Sequence, residues 1–111
     1  MNSLEMYKKL PKEDKSRLTI YCIFDSIYDV QKNENISIAD DVVLEIQELS
    51  YDLYLDDENC NLSASQIAYF LTSCYVRDEN FLNRINDYNY SDIIQAIVND
   101  NYDFYETEME R

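Results

Sequence analysis

A chain of 111 residues suits a single domain. With 46% apolar residues, eleven Tyr and eleven Ile it is no disordered acidic tail, and a net charge of −14 repels nucleic acid. The absence of any His or Gly removes the usual general base, the commonest metal ligand and the phosphate-wrapping loop, and no apolar run reaches the roughly 18 residues of a membrane span.

Taken in chain order, the pattern is helical throughout. Ser3 caps a short helix, Leu4 to Leu10, within a polar, charged N-terminus that does not read as a signal peptide. Pro11 fits the first turn of the next helix, where its missing N–H costs nothing. That helix runs from Pro11 to Gln31, with Ile20, Ile23, Phe24, Ile27 and Val30 as its apolar stripe. Tyr21 and Tyr28 flank the stripe, and Asp25, Ser26 and Asp29 mark the wet side.

Asn33-Glu34-Asn35 reads as a loop. Ser37 then caps a helix reaching about Leu55, with Asp40 in its first turn. Ala39, Val42, Val43, Ile46, Leu49 and Leu53 form one apolar face, and Leu44, Tyr51 and Leu55 form a second. A helix apolar on two sides belongs at the centre of a bundle. Asp56-Asp57-Glu58-Asn59-Cys60-Asn61 is an acidic loop.

Ser63 and Gln66 form a capping box for a helix from Ala64 to Val76 that buries Ile67, Phe70, Leu71 and Cys74 and turns Tyr69 outward. A short helix, Glu79 to Asn86, is anchored by Leu82 and Ile85. After the turn Asp87-Tyr88-Asn89-Tyr90, Ser91 caps a last helix carrying Ile93, Ile94, Ile97 and Val98. Residues 101–111 form an acidic, Tyr-rich tail whose end frays.

Tight hairpins normally need Gly, so its absence favours helices joined through Asn where φ turns positive, at Asn33, Asn35, Asn59, Asn61, Asn86, Asn89 or Asn99. The best strand candidate, Ile36-Ser37-Ile38, is too short. The expected fold is all-α, a compact single-domain bundle of five or six helices spanning residues 1–111.

No motif names a reaction. Without His, neither a Ser–His nor a Cys–His pair can be built. Cys22, Cys60 and Cys74 form no CxxC pair, and as reduced thiols they fit a cytoplasmic protein. Asp57, Asn59 and Asn61 match the first positions of a calcium loop, but the required Gly is Leu62 and the closing Glu is Ala68. Asp87-Asn89-Ser91 fails likewise, with Val98 at the end. The reading is therefore of a non-enzyme without metal or cofactor.

The charge is distributed unevenly. The first 32 residues hold six Lys/Arg and five Asp/Glu, whereas the other 79 hold three and eighteen. From Asn33 to Val76 there is no basic residue, and there are nine carboxylates. Abundant Asn, Ile and Tyr suggest a low-GC genome, bacterial or phage. The same codon drift enriches Lys, yet Lys occurs five times against eleven Asn, so the acidity reads as selected.

Asp41, Glu45, Glu48, Asp52 and Asp56 recur every three or four residues and share one helix face. Neighbours four apart lie roughly 6 Å apart along the axis, close to the spacing of phosphates along a nucleic-acid strand. Asp57 and Glu58 extend the row, and Tyr54 and Tyr69 are candidate anchors, because an exposed Tyr among carboxylates can stack on Arg. Tyr88, Tyr90, Tyr102 and Tyr105 are further contact candidates, with Tyr21, Tyr28, Tyr51 and Tyr75 assigned to the core margin. The bland alternative is a solvated helix face kept for solubility.

In size, charge and helicity the chain is similar in kind to phage DNA-mimic proteins of the anti-CRISPR or anti-restriction type, although no stretch matches a family motif. The expected function is competition for the nucleic-acid site of a basic partner, a nuclease, CRISPR effector or repressor, by a monomer or homodimer. One alternative is an immunity protein neutralising a basic nuclease toxin. Another is a regulatory adaptor or homo-oligomer whose acidity serves solubility alone.

Overall fold

The computed structural model describes residues 12–57 and 62–102, with side chains described from Arg17 onward. The helix Leu4–Leu10 with its Ser3 cap, Pro11, the side chains of Lys8, Lys9, Lys12 and Lys15, the loop residues Glu58, Asn59, Cys60 and Asn61, and the tail with Tyr105 lie outside the described residues. The described chain forms five helices and no strand: α1 (Lys12–Glu34), α2 (Asp40–Asp56), α3 (Ala64–Arg77), α4 (Phe81–Ile85) and α5 (Tyr90–Val98).

Helix α1 buries Ile23, Ile27 and Val30, three of the expected stripe, with Phe24 half-buried beside them. It runs past Gln31 and closes at Asn35, where φ is +55°. There Ile36 N–H donates to Gln31 O at 3.0 Å and Asn35 N–H to Lys32 O at 3.3 Å. This Schellman closure requires a left-handed residue, and Asn is the non-Gly residue that tolerates it best. A second closure of the same kind ends α5, with Asp100 at φ +54° rather than Asn99. Asn86, Asn89 and Asn99 keep negative φ.

The start of α2 falls later than the sequence predicts. Its N-cap is Ala39, without a side-chain bond, in place of Ser37. Ile38 is drawn into the core instead, and its N–H donates to the Gln31 side-chain oxygen at 2.8 Å. Burying an isoleucine outweighs a cap worth about 1 kcal/mol. In α5 the cap is Asn89, whose side chain accepts from Asp92 N–H at 2.9 Å, and Ser91 lies within the helix.

The central helix is α3, which packs on α1, α2 and α4. It carries no charge from Ala64 to Val76 and buries Ala64, Ile67, Ala68, Phe70, Leu71, Thr72 and Cys74. The one buried hydroxyl among these, on Thr72, is satisfied by donating to Ala68 O at 2.7 Å. Helix α2 packs on α1, α3 and α5, but of its two apolar faces only the first and Tyr51 of the second are covered, so it is less enclosed than expected. It buries Val43, Ile46, Ser50 and Leu53, while Leu44 and Leu55 of its second face are 52% and 61% exposed. A charge-free helix can be enclosed without desolvating ionised groups, and α2 cannot.

The Tyr assignments change accordingly. Tyr21 and Tyr28 are each 61% exposed on the outer side of α1, whereas Tyr54, Tyr88 and Tyr102 join Tyr51 and Tyr75 packed against the core. Ser26, expected on the wet side, is buried, and of the four apolar residues named on the last helix Val98 is the exposed one. Phe81, Leu82 and Ile85 anchor α4, with Arg84 paired to Asp78 at its base.

The Ser63 cap is present, its hydroxyl oxygen accepting Gln66 N–H at 3.0 Å. Ser63→Ala is expected to destabilise the protein by about 1 kcal/mol, and Ser63→Asp by much less. Urea midpoints measured at constant m-value check this.

Candidate partner-binding surface

Helix α2 has Asp40 and Asp41 in its first turn, where carboxylates favour the positive end of the helix dipole. No base follows in its last turn, where Asp52 and Asp56 oppose the dipole. Asp41, Glu45, Glu48, Asp52 and Asp56 are all exposed. At about 100° per residue these five fall within roughly 80° of each other, about 140° from the centre of the buried stripe, and extend about 22 Å along the axis. No described cation pairs with any of them.

The sixth acidic candidate behaves differently. Asp57 is half-buried, and its carboxylate accepts Leu62 N–H at 2.8 Å, closing the connection between α2 and α3. It therefore holds the loop, and the exposed row ends at Asp56. Tyr54 is half-buried against the core and does not project from the row. Tyr69 is 42% exposed, but it lies on α3 and not on α2. The structure thus groups five of the eight sequence candidates on one face and distributes the other three around it.

Three further residues border the row. Leu44 and Leu55 are the exposed apolar margin along one edge, by helical arithmetic. Tyr90, opening α5, lies beside the Asp52 side chain. Burial first, then Asp52 and Asp56, push the Tyr90 phenol above its ordinary pKa of 10.0. This contact joins residues 38 positions apart, and no local pattern signals it.

A pH consequence follows. A Tyr pKa raised by folding contributes stability that is intact below about pH 10, the unfolded value, and is lost as pH rises through the folded pKa. Tyr90→Phe is expected to flatten the alkaline loss of stability between about pH 9 and 11. The effect is small, because the ring is more than a third exposed. Denaturation curves across that range measure it.

The two described thiols are packing groups. Cys74 is buried and donates weakly to Tyr102 O at 3.7 Å. Half-buried Cys22 is pushed up by burial and then by Asp25, which disfavours the nucleophilic thiolate. Among the described residues no group of three His, Cys, Asp or Glu is arranged to hold a metal, and no helix is long and apolar enough to cross a membrane. No protein-family model, curated protein or solved structure matches the chain.

Proposed function

We propose that this protein is a small acidic inhibitor that occupies the nucleic-acid site of a basic DNA- or RNA-binding protein, in the manner of anti-CRISPR or anti-restriction mimics. The reading rests on one observation: five exposed carboxylates aligned on α2 with no described cation among them. The four like-charge neighbours in this row each cost about 0.2–0.5 kcal/mol, which interspersed Lys would have removed. A surface made acidic for solubility has no need to concentrate its repulsion on one helix face. A partner that neutralises phosphates with Lys and Arg meets a rigid row of anions at similar intervals. The inhibition is competitive and involves no turnover. Leu44 and Leu55 add apolar contact beside the anions, as interfaces combine an apolar core with a polar rim.

The test is capture of partners on the immobilised protein from bacterial lysate at low salt. Nucleic-acid-binding proteins are expected on the resin, released by added duplex DNA or RNA as well as by salt. Captured proteins that nucleic acid leaves in place would refute mimicry.

A further inference from the structure

A cavity of about 180 Å³ opens between α3 and the end of α5, lined by Gln66, Tyr69, Phe70, Ile97, Asp100 and Tyr102. It is smaller than the roughly 300–1,000 Å³ pockets that enclose small-molecule ligands, so it suits one side chain. Three of its six lining residues are aromatic and one is a carboxylate.

The walls are held from several directions. Tyr102 stacks on Phe70 with ring centroids 4.7 Å apart and planes 19° from parallel. Arg77, two turns further along α3, lies 5.6 Å from the centroid of that same ring. Tyr102 is thus already engaged by Phe70 and by Arg77, and Tyr69, 42% exposed, is the aromatic wall open to an incoming group. Asp100 is set by the closure of α5, with its own N–H on Ile97 O at 3.1 Å and Asn101 N–H on Ala96 O at 2.9 Å. Burial first, then the Asp100 carboxylate, push the Tyr102 phenol above its ordinary pKa of 10.0, and a carboxylate has acceptor sites enough for a further donor.

An anion is repelled here by Asp100 and by the net charge of −14. A purely apolar side chain leaves the carboxylate unused. A flat cation satisfies both walls, stacking on Tyr69 while donating to the Asp100 carboxylate. We propose that this cavity receives one arginine side chain of a protein partner. This rests on the reading that the partner is basic. Arginine fits better than lysine because its planar fork stacks and hydrogen-bonds at once. From Tyr90, beside the acidic row, to Asp100 the chain of α5 advances about 15 Å, so one partner surface of ordinary size spans both distances.

The experiment is an NMR titration of the full chain with N-acetyl-arginine amide. The citrulline, lysine and norleucine counterparts are run in parallel, all at low salt. Saturating amide shifts are expected at Tyr69, Ile97, Asp100 and Tyr102 with arginine, at least fivefold weaker binding of lysine, and none with the two neutral compounds. Asp100→Asn keeps a residue that tolerates positive φ and is expected to abolish the shifts without lowering the melting temperature. Tyr69→Ala, at an exposed position, is expected to weaken binding at least fivefold.

Equal shifts with citrulline or norleucine, equal binding of lysine, arginine shifts spread along α2, or no shift at all would each overturn the assignment. A variant with Glu45, Glu48 and Asp52 neutralised should retain the titration. The arginine pocket and the mimicry reading can therefore fail separately, since mimicry is judged by displacement with nucleic acid.

Discussion

Neutralising Glu45, Glu48 and Asp52 together, as Glu45→Gln, Glu48→Gln and Asp52→Asn, is expected to stabilise the fold and weaken partner binding. Each of the four neighbouring like-charge pairs from Asp41 to Asp56 includes at least one of these residues. Removing all four repulsions gains about 1–2 kcal/mol. In a chain of this size that corresponds to a rise in melting temperature of roughly 4–8 °C. The replaced side chains are exposed, so no packing is lost.

Binding to the captured basic partner should move in the opposite direction. Three exposed charge pairs at about 0.2–1 kcal/mol each predict a loss of up to roughly 100-fold at low salt. The opposite signs separate the two readings of the row. A solvated face would give the same stabilisation with no change in affinity. Salt provides a second handle, because the carboxylates lie about 6 Å apart along the axis, within the ~8–10 Å Debye length of moderate salt. Added salt should therefore stabilise the parent protein more than the triple variant. Calorimetric melts at two ionic strengths and isothermal titration against the partner measure both effects.

The largest stability effect is expected at Leu71, which is fully buried on the central helix α3. Leu71→Ala removes buried apolar atoms and leaves a cavity in the core, costing about 2–5 kcal/mol. For a small domain this is a large part of total stability, and melting should fall by roughly 10–20 °C. The instructive partner is Leu55→Ala. Leu55 is 61% exposed, and its truncation should stay within about 0.5 kcal/mol. If Leu55→Ala cost as much as Leu71→Ala in matched urea titrations, α2 would be a central helix after all.

That pair of leucines also shows how far periodicity carries. Spacing correctly groups Val43, Ile46 and Leu53 on one side of α2, and Leu44 with Leu55 on another. It does not say which of two apolar faces meets a neighbour. α3 became the centre because its one ionised group, Arg77, is its last residue and nothing charged is desolvated along Ala64–Val76, which is a comparison between helices and not a matter of periodicity. The Tyr residues fail for the same reason. An amphipathic ring suits a core margin and a surface equally, so Tyr21 and Tyr54 exchange roles relative to expectation.

Local chemistry was legible where its partners lie within one turn. The all-helical character, the Ser63 cap, the left-handed Asn35 and the alignment of five carboxylates on α2 depend on residues no more than about four or five positions apart. Ile38 recruiting Gln31, Tyr90 reaching Asp52 and Tyr102 closing a cavity over Phe70 depend on which elements come together. Helical periodicity repeats within a segment, whereas contacts between segments are chosen by the packing of the whole chain, and the second cannot be read from the first.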